Sequence, residues 1–126
     1  MIYNKLGNTD IEVSQIALGC WPFAGGAVWG DQDDNDSIKT VHAALDAGIN
    51  FFDTAEGYEN GHSERVLGKG LKGRRHEAII ATKVSGGHLS PEGIVNACEK
   101  SLQNSPSAHE FERKKAYFWR QIFDPK

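Results

Sequence analysis

Three side chains in this sequence have the types and spacing for acid–base chemistry: Asp53, Tyr58 and Lys83. Asp53 follows a predicted buried strand, Tyr58 lies five residues later in a glycine-punctuated loop, and Lys83 follows the next predicted strand. Because the C-terminal ends of adjacent parallel strands lie at one edge of a sheet, we expect the three to converge. A phenol has a pKa near ~10, which an adjacent ammonium lowers, while a carboxylate keeps the ammonium charged and oriented. The sequence therefore predicts a tyrosine adjusted for general acid catalysis.

Alternating apolar runs and helical periodicities predict the elements that carry these residues. The predicted elements are a hairpin over 2–14, strands at Gln15–Gly19, Asn50–Phe52 and Ala78–Thr82, and helices at Ser37–Ala47, Ser63–Leu71 and after the cap Ser90. We expect Asp36 or Ser37 to cap the first helix and Gly48 to end it in a left-handed conformation. The apolar positions predicted for the last helix are Ile94, Val95, Cys98 and Leu102. Strands that alternate with helices predict an α/β fold with a parallel sheet.

Composition excludes several classes of function. The chain has 126 residues and a formal net charge of −3, which argues against a nucleic-acid surface. No apolar run approaches the ~20 residues that span a bilayer, and the N-terminus lacks a secretory signal pattern. Cys20 and Cys98 are far apart in sequence, and two reduced thiols in a cytoplasmic protein are the simpler interpretation, with a disulfide left open.

The acidic run from Asp31 to Asp36 superficially matches a calcium-binding loop. Its sixth position is Asp36 instead of glycine, and its twelfth is His42 instead of glutamate, so we reject calcium. The run is better explained as negative charge at a helix N-terminus. Histidine and cysteine residues also lack metal-ligand spacing, and we predict no metal.

A glycine-rich segment from Phe23 to Gly30 is predicted to be a long loop that follows Trp21 and contains Trp29. A flexible surface loop is the simplest interpretation. Large apolar rings prefer burial, however, so two exposed tryptophans in one loop indicate a purpose.

The strings G-I-N-F-F-D-T-A, G-x-S-E-x-x-L-G and A-T-K-V, in this order with Tyr58 between the first two, resemble the aldo-keto reductases. The resemblance implies a (β/α)8 barrel and NADPH-dependent reduction of a small aldehyde or ketone. It implies catalytic roles for Asp53, Tyr58 and Lys83, and cofactor contacts for Gly19 and Asp53. It also places Trp21, and less directly Trp29, in the substrate pocket. One local departure is Glu59, where relatives often carry glycine, which could alter the path of the loop.

The resemblance covers about residues 2–103 and then stops. We therefore expect a partial TIM-type barrel, with a hairpin and about three βα units in a domain over 1–103, followed by a divergent tail over 104–126. The histidine string that the family places after its fourth strand has no counterpart here, and the family's phosphate-binding loops lie beyond the matched part. We therefore expect little or no turnover, and doubtful NADPH binding, from this chain alone.

The sequence pattern of the tail predicts a helix over 107–123 with an aromatic face and basic residues. It could cover the open sheet edge, dock on a partner or an anionic membrane surface, or be unselected sequence read after a frame change. The abrupt break favours the last interpretation. The alternative function is a non-enzymatic half-barrel that pairs with itself or with a full-length relative.

Overall fold

A computed structural model describes residues 1–105, and the tail predicted to be helical over 107–123 lies outside these residues. Short strands alternate with helices along the described part. In chain order the elements are β1 (Tyr3–Lys5), β2 (Glu12–Ser14), β3 (Ala17–Gly19), α1 (Gly26–Trp29), α2 (Asp34–Asp46), β4 (Phe51–Asp53), α3 (His62–Gly70), β5 (Ile79–Ala81) and α4 (Pro91–Asn104). The predicted α/β alternation is confirmed, and the predicted strands and helices agree with the observed ones to within a few residues.

The strands form two separate sheets. β1 and β2 pair as an antiparallel hairpin, and β3, β4 and β5 form a parallel sheet in that order. Gly19, Asp53 and Ala81 lie opposite one another in the register of the parallel sheet. Because these are the last residues of their strands, the sheet ends along one line, and the segments that leave it start side by side.

The hydrophobic core lies between the parallel sheet and helices α2 and α3. Phe52 in the central strand is fully buried, and so are Val41 of α2 and Val66 and Leu67 of α3. Along β4, Phe52 is buried while its neighbours Phe51 and Asp53 are only partly buried. This alternation is the period of two expected for a strand, and it directs Asp53 away from the core.

The start of α2 differs from the prediction. The helix begins at Asp34, and its cap is Asp33, whose side chain accepts a hydrogen bond from the Asn35 amide, so the predicted caps Asp36 and Ser37 are wrong. Every residue from 33 to 36 is Asp or Asn, and each of these types favours a cap, so residue type alone did not select the position. The predicted end is confirmed, because Gly48 has a φ of +83°.

Two other predictions need correction. The segment predicted to be a long loop forms a 3₁₀ turn at Trp21–Ala24 and then α1, because Phe23 is buried in the core and Pro22, at the second position, lies in the first turn, where proline is tolerated. In α4 the predicted apolar face is wrong for Val95, which is 59% exposed, whereas Ala97 is buried. The helix turns its small Ala97 inward, and the larger Ile94 beside it is half-buried.

Helices α2 and α3 approach closely where Gly70 faces Val41. A Cβ atom added at Gly70 would lie 3.0–3.2 Å from the three side-chain carbons of Val41, which is fully buried. We expect Gly70→Ala to lower the free energy of unfolding by about 1 kcal/mol, since overpacking costs about 1–3 kcal/mol and the gain in helix propensity offsets about 1 kcal/mol. Urea unfolding measures the change.

The matched control is Gly86→Ala, because a Cβ there meets no described atom within 4 Å. The control is expected to change the unfolding free energy by less than about 0.5 kcal/mol. Equal effects of the two substitutions would contradict the close approach of α2 and α3.

Candidate active site

The ammonium of Lys83 joins the ends of two neighbouring strands. Asp53 is the last residue of β4, and Lys83 lies two residues beyond β5. Lys83 Nζ donates to Asp53 Oδ1 at 2.7 Å and to the carbonyl oxygen of Thr54 at 2.7 Å. The two charged side chains are 35% and 38% exposed. The pair is therefore ordered by direct contacts and still reachable from solvent.

Tyr58 lies against this ion pair. Lys83 Nζ is 5.2 Å from the centroid of the Tyr58 ring, a distance at which an ammonium is attracted to an aromatic face. The structure thus brings together the three side chains that the sequence singled out, Asp53, Tyr58 and Lys83. Their catalytic roles remain predictions.

The loop that carries Tyr58 turns through three successive left-handed residues. Glu59, Asn60 and Gly61 have φ values of 46°, 49° and 77°. A left-handed conformation is rare for a residue with a Cβ, and asparagine adopts it more readily than glutamate. Glu59 therefore holds a left-handed conformation that a glycine would adopt at lower cost. Its side chain packs on Gly26, where an added Cβ would lie 2.5 Å from Glu59 Oε1.

Two tryptophans continue the aromatic surface at Tyr58. The ring of Trp21 stacks on the Tyr58 ring at 5.5 Å between centroids and 16° between planes. Trp29 contacts Trp21 edge-on at 5.6 Å and 82°. The tryptophans are 45% and 46% exposed. Trp21 thus lies directly at the candidate site, and Trp29 reaches it only through its contact with Trp21.

The end of β3 leaves space beside Asp53. Gly19 is exposed, lies opposite Asp53 in the register, and an added Cβ would meet no atom of the described residues within 4 Å. The next residue, Cys20, is fully buried. Burial, and then the negative charge of Asp53 against the opposing charge of Lys83, raise the pKa of the Cys20 thiol to about 12. Cys20 is therefore an unreactive core residue.

Glu56 is a buried carboxylate near the site to which the sequence gave no role. It is 8% exposed and accepts a hydrogen bond from the Ser85 amide at 2.6 Å, and its Oε1 lies 2.9 Å from His88 Nδ1. Burial opposes the charged form, but the bonds from Ser85 and His88 outweigh it and lower the pKa of Glu56. Its partners lie about 30 residues away along the chain, so no local pattern marks it.

The first turn of α3 contains two further buried polar residues, Ser63 and Glu64. Ser63 is fully buried and Glu64 is 1% exposed. In the sequence, Ser63 and Glu64 are part of the G-x-S-E-x-x-L-G string, and no site role was predicted for them. Their partners, which lie after all three parallel strands, become visible only in the fold.

The acidic run has local structural partners. Asp33 caps α2, and the carboxylate of Asp34 contacts His62 Nε2 and Lys69 Nζ, each at 2.9 Å. The hydrogen bond from Lys69, followed by that from His62, lowers the pKa of Asp34 against a smaller opposing effect of burial. Residues 1–105 contain no cluster of three or more His, Cys, Asp or Glu side chains suited to a metal ion. No helix within those residues is long and apolar enough to cross a membrane.

Comparison with known proteins decides the family. The family model described as "Aldo/keto reductase family" matches residues 15–106, which is well over half of the chain. The chain belongs to the aldo/keto reductase family. The resemblance that the sequence strings indicated is thereby confirmed.

Individual aldo-keto reductases agree with this assignment. Aldo-keto reductase YhdN of Bacillus subtilis (strain 168) is 46% identical over 113 residues, covering 82% of this chain and 34% of the relative. The solved structure of the thermostable aldo-keto reductase Tm1743 gives a TM-score of 0.76 at 31% identity, over 84% of this chain and 39% of that chain. An aldo-keto reductase from Klebsiella pneumoniae in complex with NADPH gives 0.67 at 29% identity, over 75% of this chain and 32% of that chain.

These matches also define how much of the reductase fold the chain represents. The chain spans about a third of the length of the curated relatives it matches. The described residues correspond to part of the (β/α)8 barrel of the aldo-keto reductases, which confirms the predicted fold class.

The stabilising effect of Glu56 is expected to depend on pH. Folding lowers its pKa, so its charged form stabilises the folded state at pH values above about 5 and loses this effect as the pH falls through the lowered value. We expect Glu56→Gln to reduce the unfolding free energy by about 1 kcal/mol at pH 6, since hydrogen bonds to charged groups are stronger than those to neutral groups. The reduction should shrink towards pH 3 in urea titrations.

The exposed Glu12 provides the matched control, and Glu12→Gln is expected to have little effect across the same pH range. A loss of stability in Glu56→Gln that stays constant from pH 6 to pH 3 would show that the charge of Glu56 contributes nothing.

Proposed function

We propose that this chain carries the acid–base part of an NADPH-dependent reductase of small aldehydes and ketones. The observation that supports the proposal is the ion pair of Lys83 with Asp53 beside the ring of Tyr58. The pair lies where the parallel strands end, and parallel barrels build their active sites at that face. Family membership supports this choice of reaction class, and the geometry supports this choice of residues.

In this proposal the hydroxyl of Tyr58 donates the proton that the carbonyl oxygen of the substrate acquires. Lys83 places a positive charge beside the phenol, which stabilises the developing phenolate. Asp53 and the Thr54 carbonyl hold the ammonium so that it does not turn towards solvent. Trp21, stacked on Tyr58, gives the substrate an apolar wall and limits the access of water.

NADPH is the proposed cofactor, and when bound it supplies the hydride for the carbonyl carbon. The open space at Gly19, beside Asp53, fits a flat ring that must approach the strand ends closely. The solved relative from Klebsiella pneumoniae was crystallised with NADPH, which agrees with this choice. Gly19 and Asp53 are therefore the proposed cofactor contacts. A cytoplasmic location is proposed with it, because Cys20 and Cys98 are both free thiols.

We further propose that the reductase segment comprises residues 1–103, that 104–126 form a divergent tail, and that the 126 residues by themselves show little turnover. The family's histidine string and phosphate loops have no match in them. A chimera restores that context: residues 1–103 replace the matching segment of the Bacillus subtilis relative. The purified chimera is expected to oxidise NADPH in the presence of a small aldehyde, whereas the 126-residue chain is not.

Within the chimera, Tyr58→Phe keeps the ring and removes only the hydroxyl. We expect kcat to fall by about 10²–10⁴-fold, the usual contribution of general acid catalysis. The control is Tyr3→Phe. The Tyr3 hydroxyl donates to the carbonyl of Gly48, which lies before β4 and therefore at the opposite end of the strand from Asp53. Undiminished reduction by the Tyr58→Phe chimera would contradict the proposed acid.

A second candidate function is self-association. In the described residues β5 pairs with β4 alone, so its other backbone edge is open to a further strand. A second copy of this chain, or a full-length relative, could supply that strand, and the tail outside the described residues could assist it. Light scattering on the purified chain tests self-association, because pairing of two copies requires a dimer and a monomer would contradict it. Deletion of residues 107–126 then tests whether the tail contributes to the dimer.

A further inference from the structure

The first turn of α3 holds the ends of all three parallel strands through side chains. Ser63 Oγ donates to the carbonyl oxygen of Cys20, directly after β3, at 2.6 Å. It also lies 3.0 Å from Thr54 Oγ1, directly after β4. Glu64, the next residue, makes the contact with the third strand, because its Oε1 accepts a hydrogen bond at 2.7 Å from Thr82 Oγ1, directly after β5.

Counting protons gives the direction of the bonds at Ser63. A serine hydroxyl has one proton, and the Cys20 carbonyl can only accept, so the Ser63 proton lies on that bond. Thr54 must therefore donate to Ser63 Oγ. This bond holds Thr54, whose backbone carbonyl is the second acceptor for Lys83 Nζ.

Glu64 is linked to Lys83 along the chain, because its carboxylate accepts a hydrogen bond from Thr82, the residue directly before Lys83. Its carboxylate is 1% exposed, and its hydrogen-bonding partners are the Thr82 hydroxyl at 2.7 Å and the Asn104 amide at 2.8 Å. A glutamate in the first turn stabilises a helix even when it is exposed, so helix stability does not require the burial of Glu64. Burying a carboxylate among neutral donors is costly. That cost is offset by strong charge-assisted bonds, one of which ends on the residue directly before Lys83.

We propose that Ser63 and Glu64 are positioning residues for the Lys83 ammonium. Ser63 acts through Thr54, whose carbonyl accepts from Lys83, and Glu64 acts through Thr82, which precedes Lys83 in the chain. The inference rests on the proposed role of Lys83 and adds the device that holds the amine beside Tyr58. It predicts that the position of Lys83 depends on two hydroxyl groups that do not touch it.

Competitive labelling of amines, read residue by residue by peptide mass spectrometry on the full chain, tests the proposal. The probe is a trace of acetic anhydride, and the labelling of Lys83 is normalised to that of the exposed Lys72. We expect Thr82→Val and Ser63→Ala each to raise the normalised rate at Lys83 by about fivefold, the factor that corresponds to one lost hydrogen bond. Thr82→Ser keeps the hydroxyl and is expected to restore the original rate.

The matched control is Ser105→Ala, which removes a 3.4 Å bond to the Glu64 carbonyl oxygen and leaves both side-chain paths intact. It should leave labelling of Lys83 unchanged. A rate at Lys83 that stays constant in the folded variants, or that rises only in step with Lys72, overturns the proposal. The two paths are separate, so either variant that folds by circular dichroism gives a decision.

The labelling needs neither cofactor nor turnover. Its outcome is therefore separate from that of the chimera experiment on Tyr58. An inactive chimera together with faster Lys83 labelling in the variants would reject the proposed reaction and keep the positioning device. An active chimera with unchanged labelling would support the proposed reaction and reject the positioning role of Ser63 and Glu64.

Discussion

The contact on which the site depends is the ammonium of Lys83 held between the Asp53 carboxylate and the Thr54 carbonyl, each at 2.7 Å. Both members of the ion pair are more than a third exposed, so solvent screens the attraction, and the pair adds at most about 1 kcal/mol to stability. Its main effect is geometric. The contact fixes a positive charge 5.2 Å from the centre of the Tyr58 ring, and a freely rotating lysine would not keep it there.

That contact exists because the core sets the register of the sheet. Phe52 is fully buried, which turns Asp53 to the other face at the last position of β4. A slip of one residue would put the carboxylate in the core and the phenylalanine at the surface, so burial of Phe52 specifies where Asp53 ends up. The first turn of α3 then adds a second constraint through Ser63 and Glu64. The packing of Phe52 therefore positions the Asp53 carboxylate. The buried polar contacts of Ser63 and Glu64 position the Lys83 ammonium.

Local patterns predicted the strands and most helix bounds, because apolar periodicity and Gly48 act over a few residues. They failed where distant contacts decide: Phe23 joins the core and converts a predicted loop into a helical turn. The order of Asp53, Tyr58 and Lys83 along strand ends was enough to predict that they converge. The contacts of Glu64 and Ser63 with Thr82 and Cys20 span 18 and 43 residues, and no local pattern contains them.

The contact of Lys83 with Tyr58 is tested most directly by a nuclear Overhauser measurement between the ε-methylene protons of Lys83 and the ring protons of Tyr58. We expect a cross-peak in the folded chain, because the amine lies over the ring, and we expect its loss when Asp53→Ala removes the charged acceptor. A folded chain that shows no such cross-peak would contradict this geometry, because the amine and the phenol would then not share a site.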